Sequence, residues 1–333
     1  MRLTLGAAAL VLAASAVAAT TSAAIATPAR LRGGGQHLVV KRTIPVGPDP
    51  IAIEADPLTN EIYATNLDSV SVISGRKSKV IATIPVGVNL QSLAVNTATD
   101  RIYVPDADPG RLFVISGRTN TITAAIKLHL PTAVAVDPVA DRIYVTSDNF
   151  AKPGAVFVLN GRTNKVIATI RVGHVPRGVT VNPVTHRIYV INFFSSTMSV
   201  INGRSDKVVA TVPLASFPTF VAADPSADRV YVSVNGGISV FSGRTNKLIA
   251  TINIGVSGIT PDSRAGRIWL SMGSSIGQVA VISSSTYKVI SMVRVGAVTS
   301  QVAVNSLTGR GYATNTGSNT VSVLRWRGGK PKS

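Results

Sequence analysis

Short apolar runs rich in Val and Ile alternate with polar turn residues along most of the chain. In one stretch, four such runs cover residues 50–55, 61–65, 69–73 and 79–86. Each is rich in β-branched residues and is separated from the next by turn-forming residues, which is typical of strands rather than helices. The stretch is therefore predicted to fold as one four-stranded antiparallel sheet.

The same pattern recurs along the chain, and two markers repeat in the same phase. An aromatic residue that follows a β-branched or similar residue recurs every 38–45 residues, which is the length of one propeller blade. These aromatic markers are Tyr63, Tyr103, Tyr144, Tyr189, Tyr231, Trp269 and Tyr312. Five units also carry a Gly-Arg pair in the turn between their third and fourth strands. The chain is therefore predicted to be an all-β, seven-bladed β-propeller of four-stranded antiparallel blades.

The two ends of the repeat region complement each other. The last unit stops after its third strand, residues 320–326, whereas residues 37–46 resemble an isolated fourth strand. The segment 40–46 reads Val-Lys-Arg-Thr-Ile-Pro-Val, close to the Val-Ile-Ala-Thr-Ile-Pro-Val of residues 80–86. We expect the N-terminal strand to pair with the last blade and close the ring, because such pairing removes an exposed sheet edge.

The aromatic markers also carry a family resemblance. Tyr63-Ala64-Thr65-Asn66 and Tyr312-Ala313-Thr314-Asn315 resemble the YVTN repeat of YncE-like seven-bladed β-propellers, with looser versions at residues 144–147 and 189–192. The similarity covers residues 37–326, although several units lack the Asn and the sixth lacks the Gly-Arg turn. The resemblance implies secreted, surface-layer or periplasmic propellers, mostly without catalysis, and one type of relative that binds DNA.

The first residues have the composition of a secretion signal. Met1 and Arg2 form a short basic start, residues 3–19 are apolar and Ala-rich, and Ala-x-Ala sites follow. An uncleaved membrane anchor is the alternative. The predicted segments are a cleaved signal peptide at 1–26, a flexible N-terminal segment at 27–36, the propeller at 37–326 and a basic C-terminal tail at 327–333. The mature protein is expected to be secreted, extracellular or associated with the cell wall.

The charge balance is strongly basic. The chain holds 33 Lys and Arg against 15 Asp and Glu, a net charge of +18, and it has no Cys. Such an excess produces a positive field that attracts polyanions. The Gly-Arg turns are predicted to place a basic ring on one face; its members, here named the turn arginines, are Arg76, Arg118, Arg162, Arg204 and Arg244. A second set of arginines opens the second strands, where the spacing of Asp137 from Arg142 and of Asp224 from Arg229 predicts ion pairs that brace turns.

The opposite face, here named the entry face, carries the loops that enter the innermost strands and the loops that join second to third strands. Its irregular loops supply the predicted ligand-binding residues, which are Arg111, Phe150, Lys152, Arg177, Phe193 and Phe194, with Phe217 placed to join them. Aromatics beside cations suit single-stranded nucleic acid, aromatic compounds or glycans. The alternative is that the Phe side chains pack their loops onto neighbouring blades.

Candidates for catalysis are few. The chain has two Glu and four His, and His129 and His174 share one repeat position, two residues before Pro131 and Pro176. Two histidines lack the third protein ligand that catalytic zinc normally needs. The sequence therefore predicts no catalytic residue, no metal and no cofactor, with the two histidines as the weak metal candidates.

These patterns favour a monomeric, exported, non-catalytic binding or scaffold propeller. Its basic surface is predicted to engage an anionic polymer, such as DNA or a cell-wall polymer, or a protein partner. Two alternatives remain open at the level of sequence. One is a metal-assisted lyase or lactonase with a site in the central funnel, and the other is a surface-layer structural protein.

Overall fold

The computed structural model describes residues 36–148, 153–273 and 275–328, and Gln36–Arg327 form one compact unit. Its strands make seven four-stranded sheets, and every pairing within them is antiparallel. The sequence prediction of an all-β, seven-bladed propeller is confirmed. Within the described ranges, no helix has both the length and the apolar character needed to cross a membrane.

The strands are grouped here by their place in the blades. The innermost strands are β2 (Ile53–Asp56), β6 (Ala94–Asn96), β10 (Pro131–Asp137), β14 (Pro176–Asn182), β18 (Phe220–Asp224), β22 (Gly258–Asp262) and β26 (Thr299–Asn305). The second strands are β3 (Glu61–Thr65), β7 (Arg101–Asp106), β11 (Arg142–Ser147), β15 (Arg187–Asn192), β19 (Arg229–Val234), β23 (Arg267–Met272) and β27 (Arg310–Asn315).

The third strands are β4 (Ser69–Ser74), β8 (Arg111–Ser116), β12 (Ala155–Asn160), β16 (Thr197–Asn202), β20 (Gly237–Ser242), β24 (Gln278–Ser283) and β28 (Thr320–Arg327). The outermost strands are β5 (Lys79–Pro85), β9 (Thr121–Lys127), β13 (Val166–Arg171), β17 (Lys207–Pro213), β21 (Leu248–Ile252), β25 (Val289–Arg294) and β1 (His37–Pro45). Two short 3-10 helices cover Ser263–Ala265 and Thr316–Ser318.

The innermost strands of successive blades contact one another in cyclic order, and β26 of the seventh blade contacts β2 of the first. The outermost place of the seventh blade is filled by β1. Its residues pair with β28 from His37 opposite Arg327 to Pro45 opposite Thr320, with one irregularity between Val40 and Arg42. Both ends of the repeat region therefore lie in the same sheet.

The hydrophobic core lies between blades rather than inside one sheet. Between the first two blades, Tyr63 and Val72 of the first pack with Ile102, Val104 and Phe113 of the second. The second and third strands are apolar on both faces because each face covers a different neighbour. All seven aromatic markers are fully buried, so they serve the blade interfaces.

The Asn of the YVTN-like segments has a structural task. The side-chain nitrogen of Asn192 lies 3.0 Å from both Thr197 Oγ1 and Ser199 Oγ, so it anchors the loop between β15 and β16. Gly173, two residues after the fourth strand of the previous blade, packs on the same side chain, since a Cβ there would lie 2.7 Å from it. The Asn at this position therefore stabilises the fold, and its recurrence does not indicate a ligand contact.

Candidate binding surfaces

The arginines that open the second strands are used to join neighbouring blades. Arg142 donates through Nη1 to the carbonyl oxygen of Gly203 at 2.6 Å and forms an ion pair with Asp206 at 2.7 Å, both in the next blade. The same kind of contact joins Arg101 to Gly161, Arg187 to Gly243, Arg229 to Ser284 and Arg310 to Gly75. These cations stabilise the ring and are not free for a ligand.

The predicted ion pair between Asp137 and Arg142 is wrong. Asp137 lies 2.7 Å from Nδ1 of His186 in the next blade, and its other oxygen accepts hydrogen bonds from the backbone of Val139 and Ala140. The acidic side chain therefore shapes its own turn, as Asx turns do, while the arginine reaches across the blade interface.

The turn arginines behave differently. All five lie exposed in the hairpin turns between third and fourth strands. Across residues 36–148, 153–273 and 275–328, none has a carboxylate within 4.0 Å. Arg118 is near enough to Asp100 to oppose the rise in the pKa of that carboxyl, which burial causes. The exposed Lys79, Lys165, Lys207 and Lys247 begin or directly precede the strands that follow.

The geometry of these turns explains the Gly-Arg pair. A Cβ at Gly117 would lie 2.0 Å from Oδ1 of Asp100, so the two turns of that blade touch and only Gly fits. The next residue, Arg118, is directed to solvent. The arginines occupy blades one to five, whereas the corresponding turn of blade six, residues 284–287, has none. The basic ring is thus an arc over five adjacent blades.

On the entry face, four of the irregular side chains meet. The guanidinium carbon of Arg177 lies 4.2 Å from the ring centroid of Phe193, a cation–π contact. The Phe193 ring lies 5.4 Å from that of Phe194 and 5.7 Å from that of Phe217, tilted by 45° and 49°. Phe194 is 63% exposed and Phe217 is 56% exposed. We name Arg177, Phe193, Phe194 and Phe217 the aromatic platform.

Among the described residues, one further predicted ligand residue, Arg111, does not join this platform. Arg111 is exposed at the start of β8 in the second blade, where it pairs with Asp106 and Lys127 in the sheet register. Phe150 and Lys152 lie outside the described residues. Phe217 comes from the fifth blade, and its contact with Phe193 depends on the conformation of two separate loops. The sequence places Phe217 on the entry face but does not predict this contact.

The two weak metal candidates, His129 and His174, are both exposed on the entry face. Asp106, a carboxylate at the end of the second strand β7, is instead buried and accepts hydrogen bonds from the backbone of Val88 and Asp108. Within the part of the chain that the structure describes, no three His, Asp or Glu side chains lie close enough together to hold a metal ion.

Glu54 is a titratable group that the sequence did not single out for a role. It lies on the innermost strand β2, and Oε2 accepts a hydrogen bond from the backbone of Val95 in the next blade at 2.8 Å. Burial raises the pKa of Glu54 to about 7, and the Val95 hydrogen bond opposes this rise. A single carboxyl of this kind holds a proton near neutral pH but lacks the paired acid or base of a hydrolytic site.

Solved structures share this fold. A chain of hydrazine synthase from Kuenenia stuttgartiensis matches with a TM-score of 0.76 and 18% identity, covering 84% of this chain and 96% of that chain. At this identity the likeness shows the fold alone. No protein-family model and no curated protein matches the sequence, so the resemblance to the YVTN family stays a prediction.

Proposed function

We propose that this chain is an exported, non-catalytic binding propeller that holds an anionic polymer on its turn arginines. The observation that carries the proposal is the division between two sets of arginines. The second-strand set is engaged between blades, whereas the turn arginines are exposed on five adjacent blades without a carboxylate partner among the described residues. A row of five available cations therefore follows one rim of the molecule.

The physical basis is the attraction between repeated cations and repeated phosphates or other anions. Each Arg that neutralises a phosphate releases a condensed counterion, so affinity falls steeply as salt rises. The net charge of +18 adds a long-range field that draws polyanions toward the protein. Exposed arginines on hairpin turns are expected to contact phosphates rather than base edges, so binding should be independent of nucleotide sequence.

The test removes three adjacent turn arginines. We expect the triple variant Arg162→Gln, Arg204→Gln, Arg244→Gln to bind a mixed-sequence DNA duplex with a weaker salt dependence. The slope of log affinity against log salt should fall in magnitude by about 3, close to one for each phosphate that an arginine no longer neutralises. Fluorescence anisotropy with labelled duplex between roughly 50 and 200 mM salt measures this slope.

The matched control is the triple variant Arg111→Gln, Lys127→Gln, Arg171→Gln, which removes the same charge from exposed residues at the entry-face ends of strands. Its slope should stay close to that of the unmodified protein. An equal decrease in both variants would show that net charge alone attracts DNA. Absence of binding to both duplex DNA and heparin at the lowest salt would reject a polyanion ligand.

Export is tested separately. The signal-like composition of residues 1–26 predicts that the protein leaves the cytoplasm and loses this segment. N-terminal sequencing of protein recovered from the culture fluid or cell wall should find a new N-terminus near residue 27. Recovery of the intact chain in the cytoplasm alone would contradict export without affecting the binding proposal.

A further inference from the structure

The aromatic platform gathers residues that depart from the repeat. Where blade four has Arg177, the other blades have Ile51, Gln91, Thr132, Thr219, Ser257 and Ser300. Where blade five has Phe217, other blades have Asp49, Asn89, Leu130, Val175 and Val298. The Phe193 position, directly after the second strand, is Leu67 in the first blade and Thr316 in the last. Architecture shared by seven blades does not require this combination, yet the departures meet at one place.

Phe217 adopts a backbone conformation that recurs at this position of the repeat. Its φ is 58°, in the left-handed region, and φ lies between 38° and 58° at the equivalent Asp49, Asn89, Leu130, Val175 and Val298 of other blades. Asp and Asn tolerate that region better than a bulky side chain does. The conformation therefore belongs to the repeat, and what sets Phe217 apart is an aromatic side chain that is 56% exposed and so offers its ring to a ligand.

Hydrogen bonds within the protein hold the loops of the platform in place. Phe193 donates its backbone N–H to the carbonyl of Val175 at 2.9 Å, and Leu214 donates to the carbonyl of Ser196 at 2.9 Å. Ser195 Oγ accepts the backbone N–H of His174 at 2.8 Å. The loop is thus pinned to two neighbouring segments, so little conformational entropy is lost when a ligand binds.

We propose that the aromatic platform is a binding site for a small aromatic anion, meaning a flat ring that carries a carboxylate, sulfonate or phosphate. The exposed rings of Phe194 and Phe217 offer stacking surfaces for the ligand ring. One face of the Arg177 guanidinium covers Phe193, and its N–H groups suit a planar anion, which they bind in bidentate fashion.

Charge decides between possible occupants of this apolar surface. A second copy of the chain also carries +18 and is repelled. A neutral aromatic ligand would make no ionic contact with Arg177, whereas an anionic one would stack on the Phe rings and also pair with the guanidinium. The site lies on the face opposite the turn arginines, so its occupation is independent of the proposed polymer binding.

Two fluorescent probes distinguish the effect of the ligand's aromatic ring on binding from the effect of its negative charge. Anilinonaphthalene sulfonate is an aromatic anion, and phenylnaphthylamine is its neutral counterpart without the sulfonate. We expect the full chain to bind one molecule of the sulfonate. The double variant Phe194→Ala, Phe217→Ala should weaken both probes about tenfold or more, because stacking on each ring contributes on the order of 1–3 kcal/mol.

Arg177→Gln should weaken the sulfonate about tenfold and leave the neutral probe within about twofold, since only the sulfonate meets the guanidinium. The control is Leu248→Ala, Ile249→Ala, which removes two exposed aliphatic side chains from the outermost strand β21 and should change neither affinity. Equal affinities for the sulfonate in the platform double variant and the unmodified chain would overturn the proposal, as would equal decreases in the platform and control variants.

The variant Phe217→Asn tests whether Phe217 binds a ligand or serves only to pack its loop. Asn fills the same position in the second blade, so this variant should raise the melting temperature while weakening the sulfonate at least fivefold, as removal of one stacked ring predicts. A lower melting temperature with unchanged sulfonate binding would instead show that Phe217 serves only to pack the loop.

Discussion

Glu54 links one residue to the pH dependence of the whole fold. Its pKa rises from 4.5 to about 7 because β2 and the next blade remove the carboxylate from water. Between these two values the folded chain holds a proton that the unfolded chain releases. Raising the pH through this window therefore favours the unfolded state, and the stability present below about pH 4.5 declines until the folded carboxyl ionises.

The substitution Glu54→Gln tests this linkage. Gln keeps an oxygen acceptor for the Val95 N–H but does not ionise, so its stability should lack this contribution to the pH dependence. Near pH 4.5 the two proteins should unfold at nearly the same urea concentration. Near pH 8 the variant should be more stable by up to about 3 kcal/mol. A difference that does not change between these pH values would show that Glu54 does not retain its proton in the folded state.

Single residues also show what a sequence can and cannot predict. The Gly-Arg and aromatic markers were readable because the blades repeat the same contacts, such as Gly117 against Asp100. Phe193 and Phe194 were readable as departures from that repeat. Their contact with Phe217 was not, because it depends on the left-handed backbone at Phe217 and on the hydrogen bonds that pin the facing loop.

At the level of strands, the packing of blades on one another explains which strand positions and ion pairs the sequence predicts correctly and which it does not. Runs of apolar residues locate the second and third strands well because both faces of these strands are buried. The run 50–55 was predicted to be a strand, but β2 begins only at Ile53, since the hydroxyl of Thr65 accepts the N–H of Ala52 and interrupts the ladder. The ion pair of Arg142 was missed because Asp206 is distant in sequence and belongs to the next blade.

The contacts between blades make a prediction about Arg187. Its Nη1 donates to the carbonyl oxygens of Gly243 and Arg244 in the next blade. Arg187→Met keeps most of the aliphatic stem but removes these bonds, so urea unfolding should show a decrease in stability of about 2 kcal/mol. The turn arginine Arg204 is exposed, and Arg204→Met should stay within about 0.5 kcal/mol. Similar decreases in both variants would contradict the division between structural and free arginines.

For the whole molecule, the ring separates two kinds of surface. The hairpin turns at one end carry cations without carboxylate partners among the described residues, and the entry loops of blades four and five carry the aromatic platform. The sequence predicted this division because topology alone assigns each class of loop to a face. It did not predict that the arginines of the second strands are engaged with the next blade, because those contacts join residues that are far apart in sequence.

Closure by β1 predicts that one residue near the N-terminus controls the stability of the ring. Ile44 is 3% exposed and packs with Ile62 of the first blade and with Tyr312 and Val321 of the seventh. Ile44→Ala should therefore cost about 2–5 kcal/mol. The matched control is Ile81→Ala on β5, where the side chain is 40% exposed and the cost should stay within about 0.5 kcal/mol.

The two tryptophans of the chain make this prediction measurable. Trp269 and Trp326 lie in blades six and seven with ring centroids 6.0 Å apart, so their fluorescence reports on the closing region, whereas far-ultraviolet circular dichroism reports on all blades. A closed ring that unfolds as one unit should give coincident transitions by both probes, shifted together by Ile44→Ala. If only the fluorescence transition moved, the closing blade would unfold independently of the others. An unchanged pair of transitions would show that β1 does not stabilise the ring.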